Sequence, residues 1–138
     1  MNDDTDIASG ECDMDLVRDL LIYLAEKKGR AHIQAENIKI AGRTNEAFDY
    51  HLTLMYQAGF LNAEVQSTKT GRIIYVIPFE LSYQGHQFLA PIRDEKAWRQ
   101  TRAAAKKVGA LSVETVGDLV KSLLKKKINE LTGGEFTI

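Results

Sequence analysis

Cysteine is almost absent from this 138-residue chain, with Cys12 standing alone. A lone thiol closes no internal disulfide and has no partner for a Cys-x-x-Cys site, so a plain thiol in a reducing compartment is expected. Long apolar runs are missing too: nothing approaches the roughly 20 residues a membrane-spanning helix needs. Histidine is sparse. His32, His51 and His86 lie far from one another and from Cys12, which excludes the local spacings of zinc sites. His51 and His86 read instead as hydrogen-bonded packing residues within helices. There is no phosphate-binding glycine loop, nucleophile elbow or paired-carboxylate arrangement. Glu46 and Asp49 share a helix face, but two acids without a pocket make a poor site. The expectation is a protein that is not an enzyme, with no catalytic residue, no metal and no cofactor.

Net charge is nearly absent as well, at −1, but its distribution is uneven. Residues 1–15 carry six acids and no base, while residues 96–127 carry nine bases against Glu114 and Asp118. The whole chain therefore gives no electrostatic argument for a nucleic-acid partner, whereas its C-terminal third does. The opening Met1-Asn2-Asp3-Asp4-Thr5-Asp6 is acidic, the reverse of a secretory or transit signal, so a cytoplasmic location without membrane contact is expected.

What is present is an ordered series of amphipathic patterns. Residues 1–12 read as a disordered acidic leader. Met14, Val17, Leu20, Leu21 and Leu24 then form a helical stripe, with Asp13 as N-cap. Asn37-Ile38-Lys39-Ile40 reads as a short strand, and Gly42 ends it. A second helix starts after Thr44 or Asn45, carries Phe48, Leu52 and Met55 on one face, and ends at Gly59 in a left-handed turn. Leu61–Gln66 and Arg72–Pro78 flank Ser67-Thr68-Lys69-Thr70-Gly71 as a β-hairpin, with Pro78 stopping the second strand. A third helix opens with Ser82 as its cap, and Pro91 kinks it or starts another. Trp98, Thr101, Ala105 and Val108 share one side of a helix ending at Gly109. A last helix, capped by Ser112, runs to Gly133-Gly134.

Helix, short strand, recognition-like helix, hairpin and helix is the order of a winged helix, an α+β and mainly helical fold. The expected organisation is a leader (1–12), a winged-helix domain (13–93) and a helical extension (94–138). Motifs reinforce this order. Asp13-Met14-Asp15-Leu16-Val17-Arg18, Tyr50-His51-Leu52, Ala58-Gly59-Phe60-Leu61, Leu81-Ser82-Tyr83-Gln84-Gly85-His86-Gln87-Phe88-Leu89, Ile92-Arg93-Asp94 and Trp98 together resemble a bacterial and phage domain-of-unknown-function family with a winged-helix-like fold. The resemblance spans roughly residues 13–125 and implies a fold and a prokaryotic or phage setting, with no activity to carry over. Pro91 and the lack of a clear second helix before residue 44 depart from the pattern.

Duplex DNA is the first partner considered. On the recognition-like helix Arg43, Thr44, Asn45, Glu46, Asp49, Tyr50 and Thr53 face outward. Asn45 suits adenine and Arg43 suits guanine or phosphate, whereas Glu46 and Asp49 oppose a polyanion. The wing tip, with Lys69 and Arg72, suits phosphate contacts and equally suits a plain polar turn. Lys96, Arg99, Arg102 and Lys106 recur at helical steps, as a phosphate track or as a solvated helix face. Val116, Leu119, Leu123 and Ile128, with Leu131 flanking, form an apolar stripe for homodimer contact or for packing on the parent domain. The first reading is a dimeric winged-helix transcriptional regulator. Its rival is a non-catalytic protein-interaction module, such as a phage-encoded modulator of a host complex, favoured by the acidic leader, Glu46 and Asp49.

Overall fold

In a computed structural model, residues 12–107 and 112–133 are described. The fold is α+β and mainly helical, with one two-stranded antiparallel sheet among the described residues. The chain forms two compact units that part between His86 and Gln87.

The first unit opens with α1 (Met14–Glu26). The Asp13 carboxylate accepts from the backbone N–H groups of Asp15 and Leu16, satisfying two donors that every helix start leaves open. Met14, Leu16, Val17, Leu20, Leu21 and Leu24 are all buried. The strand expected at Asn37–Ile40 does not form. A 3-10 turn occupies Ala35–Asn37, and the Asn37 and Ile38 N–H groups bond back to Gln34 and Ala35. Those local bonds use the donors a strand would need, while Ile38 buries alone. The extended contact falls earlier, where the Ile33 N–H donates to the Pro78 carbonyl at 2.9 Å.

Helix α2 (Asn45–Gln57) is capped by the Thr44 hydroxyl, which accepts from the Ala47 N–H. Its inner face is Ala47, Phe48, His51, Leu52 and Met55. Gly59 takes φ +84°, letting the Phe60 N–H return to the Met55 carbonyl and end the helix. Strands β1 (Leu61–Ser67) and β2 (Ile73–Leu81) follow, paired from Leu61↔Leu81 outward, and Thr68 closes the turn to Arg72.

Pro78 does not stop β2, which runs three residues further. The Pro78 carbonyl faces Ile33, away from β1, so its N–H-less nitrogen also lies on the outer edge and costs the β1 ladder nothing. The hairpin packs against α2 and α1 around Leu20, Leu21, Phe48, Leu52 and Val76. α3 (Tyr83–Leu89) then starts from Ser82, whose hydroxyl donates to the Gly59 carbonyl and accepts from the Gly85 N–H.

The second unit is helical. α3 ends at Leu89 and a 3-10 turn, Ala90–Ile92, accommodates Pro91. This turn packs on the two helices that follow, so it belongs with them. α4 (Glu95–Lys107) is capped by Asp94 and buries Trp98, Thr101 and Ala105. α5 (Val113–Thr132), capped by Ser112, buries Val116 and Val120 and ends on Gly133 at φ +66°. The expected leader, apart from Cys12, and the expected helix end at Val108 and Gly109 lie outside the described residues.

Candidate nucleic-acid interface

Arg43, the base expected to read DNA at the start of α2, is turned inward. Its guanidinium donates to Asp13 Oδ2 at 2.7 Å, and the two side chains are only 16% and 20% exposed. Asp13 thus caps α1 with one carboxylate oxygen and holds Arg43 with the other. Its backbone N–H donates to Nε2 of His51 at 2.9 Å. On the far side of the ring, Nδ1 lies 2.8 Å from the Ala47 carbonyl, which only an N–H can satisfy. Both ring nitrogens are therefore committed, and His51 is held as the neutral tautomer protonated at Nδ1. Burial pushes its pKa below the ordinary histidine range, opposed by the Ala47 bond and by Asp13 and reinforced by Arg43. The packing role expected for His51 is what the structure shows, whereas His86 is exposed.

The rest of the α2 outer face is polar and acidic. Thr44, Asn45, Glu46 and Asp49 are exposed. Tyr50 is half-buried, with its ring edge-on to His51 at 5.2 Å. The Thr53 hydroxyl is spent on the Asp49 carbonyl. Desolvation raises the Asp49 pKa, and the nearby Glu36 adds to the rise.

At the hairpin tip Lys69 and Arg72 are both exposed, on a turn fixed by Gly71 at φ +89°. Just behind it stand Ile74, 60% exposed, and Tyr75, 40% exposed. Nothing in the sequence marks these two as exposed, because alternating β-branched and aromatic residues look alike whether a strand face is covered or bare.

The base of the hairpin is tied down instead. Arg30 makes two bonds to Glu80 and lies over the Phe79 ring, while Lys27 reaches the Phe79 carbonyl. Glu80, which also accepts from Asn62, has its pKa lowered by that bond and by Arg30.

In the second unit Lys96, Arg99 and Lys106 do share the outer side of α4, joined by Lys107 and opposite Trp98, Thr101 and Ala105. Arg102 is the exception, half-buried at the border of that face. On α5 the expected dimer contact needs correction at Val116, which is 0% exposed within the single chain and has nothing to offer a partner. Leu119, Leu123 and Ile128 are half-buried, and the exposed large apolar side chains of α5 are Leu124 (47%) and Leu131 (82%). Lys96, Lys126 and Lys127 line a groove of about 400 Å³ between α4 and α5 together with Asp94, Glu130 and Leu123. Among the described residues no group of three His, Cys, Asp or Glu side chains is placed to hold a metal ion. No described helix is long and apolar enough to cross a membrane.

A family model described as a hypothetical protein, DUF2513, matches residues 11–112. The chain belongs to this family. No curated protein and no solved structure matches it. The DUF2513 segment runs from Glu11 to the Ser112 cap, so it includes the Asp13–Arg43–His51 cluster, the hairpin and the basic face of α4. Helix α5 lies beyond it.

Proposed function

We propose that this chain is a non-catalytic winged-helix protein that binds duplex DNA and regulates transcription in a prokaryotic or phage setting. The observation that carries the reading is the hairpin placed directly after α2, with an exposed basic tip at Lys69 and Arg72. A two-stranded projection with cations at its end suits phosphate or minor-groove contact, and Thr44, Asn45 and Tyr50 offer α2's polar side to the major groove. The Ile33–Pro78 bond supports the same reading, since it lays the segment after α1 along the hairpin edge, where a winged helix has its first strand. The exposed bases of α4 (Lys96, Arg99 and Lys106) supply further phosphate contacts, so affinity falls steeply with salt.

The test is fluorescence anisotropy with a labelled random-sequence duplex over a salt series. Lys69→Ala with Arg72→Ala is expected to make the slope of log affinity against log salt shallower by about 1.8, two contacts at about 0.9 each. No binding at low salt removes the reading.

One observation favours a protein partner instead: the outer face of α2 presents Glu46 and Asp49 with Glu36 nearby, while Arg43 is bound to Asp13. On that reading an α2-face variant, Glu46→Lys with Asp49→Lys, abolishes capture of a stoichiometric protein from nuclease-treated lysate. On the DNA reading the same variant tightens duplex binding.

A further inference from the structure

We propose that Arg43 is a gated DNA contact, held off the duplex by Asp13 and released when His51 takes up a proton. The inference rests on the DNA-binding reading and names how that site is regulated. Three observations carry it. Arg43 sits immediately before the Thr44 cap of α2, where a basic side chain has a short reach to phosphate, yet its guanidinium is engaged by Asp13 at 2.7 Å. Asp13 is held in place for this by His51, whose Nε2 accepts the Asp13 N–H at 2.9 Å. His51 itself is fully buried, with its other nitrogen fixed to the Ala47 carbonyl.

The proton has one place to go. Nδ1 already carries hydrogen, so protonation occurs at Nε2 and turns an acceptor into a donor facing the Asp13 N–H. Two donors then oppose each other across a buried contact, and the bond that fixes residue 13 is lost. The imidazolium also brings a positive charge close to the Asp13 carboxylate, where it competes with Arg43 and repels it. Other groups in this field are Asp15, Arg18 and Asp19 on α1, Tyr50 edge-on to the ring, and the Cys12 thiol beside Asp13. Asp19 interacts electrostatically with both Asp13 and Arg43, as it does with Asp15 and Arg18, and the charged groups acting on the ring itself are Asp13 and Arg43. Gating therefore turns on His51.

The decisive variant is Asp13→Asn. Asparagine caps a helix as well as aspartate does, so α1 is retained, but the negative charge hydrogen-bonded to Arg43 is gone, with Asp19 still acting on Arg43. In duplex titrations at pH 7.5, Asp13→Asn is expected to bind about threefold to tenfold more tightly, with a salt slope steeper by about 0.9, one added phosphate contact. Adding Arg43→Ala removes the gain.

Wild type gains affinity as pH falls from about 6.5 through the folded pKa of His51, beyond the gain of His51→Gln, whose amide oxygen accepts the Asp13 N–H at every pH. Nitrogen-15 NMR of the imidazole and hydrogen exchange of the Arg43 guanidinium follow the gate without DNA. Nε2 is unprotonated at pH 7.5, and Arg43 exchange accelerates as it protonates. An Asp13→Asn affinity equal to wild type, or Arg43 exchange that ignores the His51 titration, overturns the gate while leaving DNA binding standing. Coupled His51 and Arg43 signals in a protein that binds no duplex overturn the DNA reading and, with it, this role for Arg43.

Discussion

The two units of this chain put their basic residues to opposite uses. Residues 1–86 contain 13 acids and 8 bases, and there the bases hold the structure together. Arg43 binds Asp13 at the start of α1, Arg30 clasps Glu80, and Lys27 reaches the Phe79 carbonyl. Residues 87–138 contain 10 bases and 6 acids, and there Lys96, Arg99, Lys106, Lys107, Lys121 and Lys125–Lys127 stand exposed on two helices whose buried faces are apolar. A count of charges would rank the second unit as the only nucleic-acid candidate. The geometry adds that four of the first unit's eight bases, Arg18, Lys27, Arg30 and Arg43, are buried or bonded within the fold, while Lys28, Lys39, Lys69 and Arg72 stand exposed, the last two at the hairpin tip.

That contrast can be broken by substitution, beginning with the core on which the first unit depends. Phe48 is 1% exposed between α2 and its neighbours, and Phe48→Ala is expected to cost about 3–5 kcal/mol in chemical denaturation. Gly85→Ala comes next. A methyl group there runs into the Phe60 carbonyl oxygen, which is backbone and cannot swing aside, so about 1–3 kcal/mol is lost. Asp13→Ala removes a helix cap and the carboxylate that bonds Arg43, at a cost of about 1–3 kcal/mol, while Asp13→Asn costs less.

Acid should produce a smaller effect of definite sign. The folded pKa of His51 lies below its unfolded value, so the unfolded chain binds the proton more readily. The stabilising contribution is complete above about pH 6.5 and is lost as pH falls from there through the folded pKa. Thermal melts between pH 7.5 and 5.5 should show this loss in wild type and a reduced loss in His51→Gln. Smallest of all, Lys96→Ala, Arg99→Ala and Lys106→Ala together should leave stability within about 0.5 kcal/mol per site, because these side chains lie on the outer side of α4.

Most of the architecture could be read from the chain, and the reasons differ by element. Helix caps are local: Asp13, Thr44 and Ser112 sit next to the donors they satisfy, so each was visible in a few residues. The hairpin was equally local, although β2 runs past Pro78 because a proline on an outer edge breaks no ladder bond. The strand misplaced at residues 37–40 shows the limit, since alternation of Ile38 and Ile40 is outweighed when a turn captures the backbone donors first.

The candidate site was less legible. Nothing in the spacing of Asp13, Arg43 and His51, which are 30 and 38 residues apart, announces that they meet. The α4 stripe was legible because helical periodicity alone puts Lys96, Arg99 and Lys106 on one side, and Arg102 misses that face by falling at its border. Val116 was misassigned to a dimer contact because an apolar stripe looks the same whether its own chain or another covers it.

The division of labour between the two units is tested most directly by the salt dependence of binding to a random-sequence duplex, wild type against the Lys96→Ala, Arg99→Ala, Lys106→Ala triple variant. Three phosphate contacts on α4 predict a slope shallower by about 2.7 with folding unchanged. Identical slopes, or no binding by wild type even at low salt, would contradict the assignment of the exposed bases to DNA.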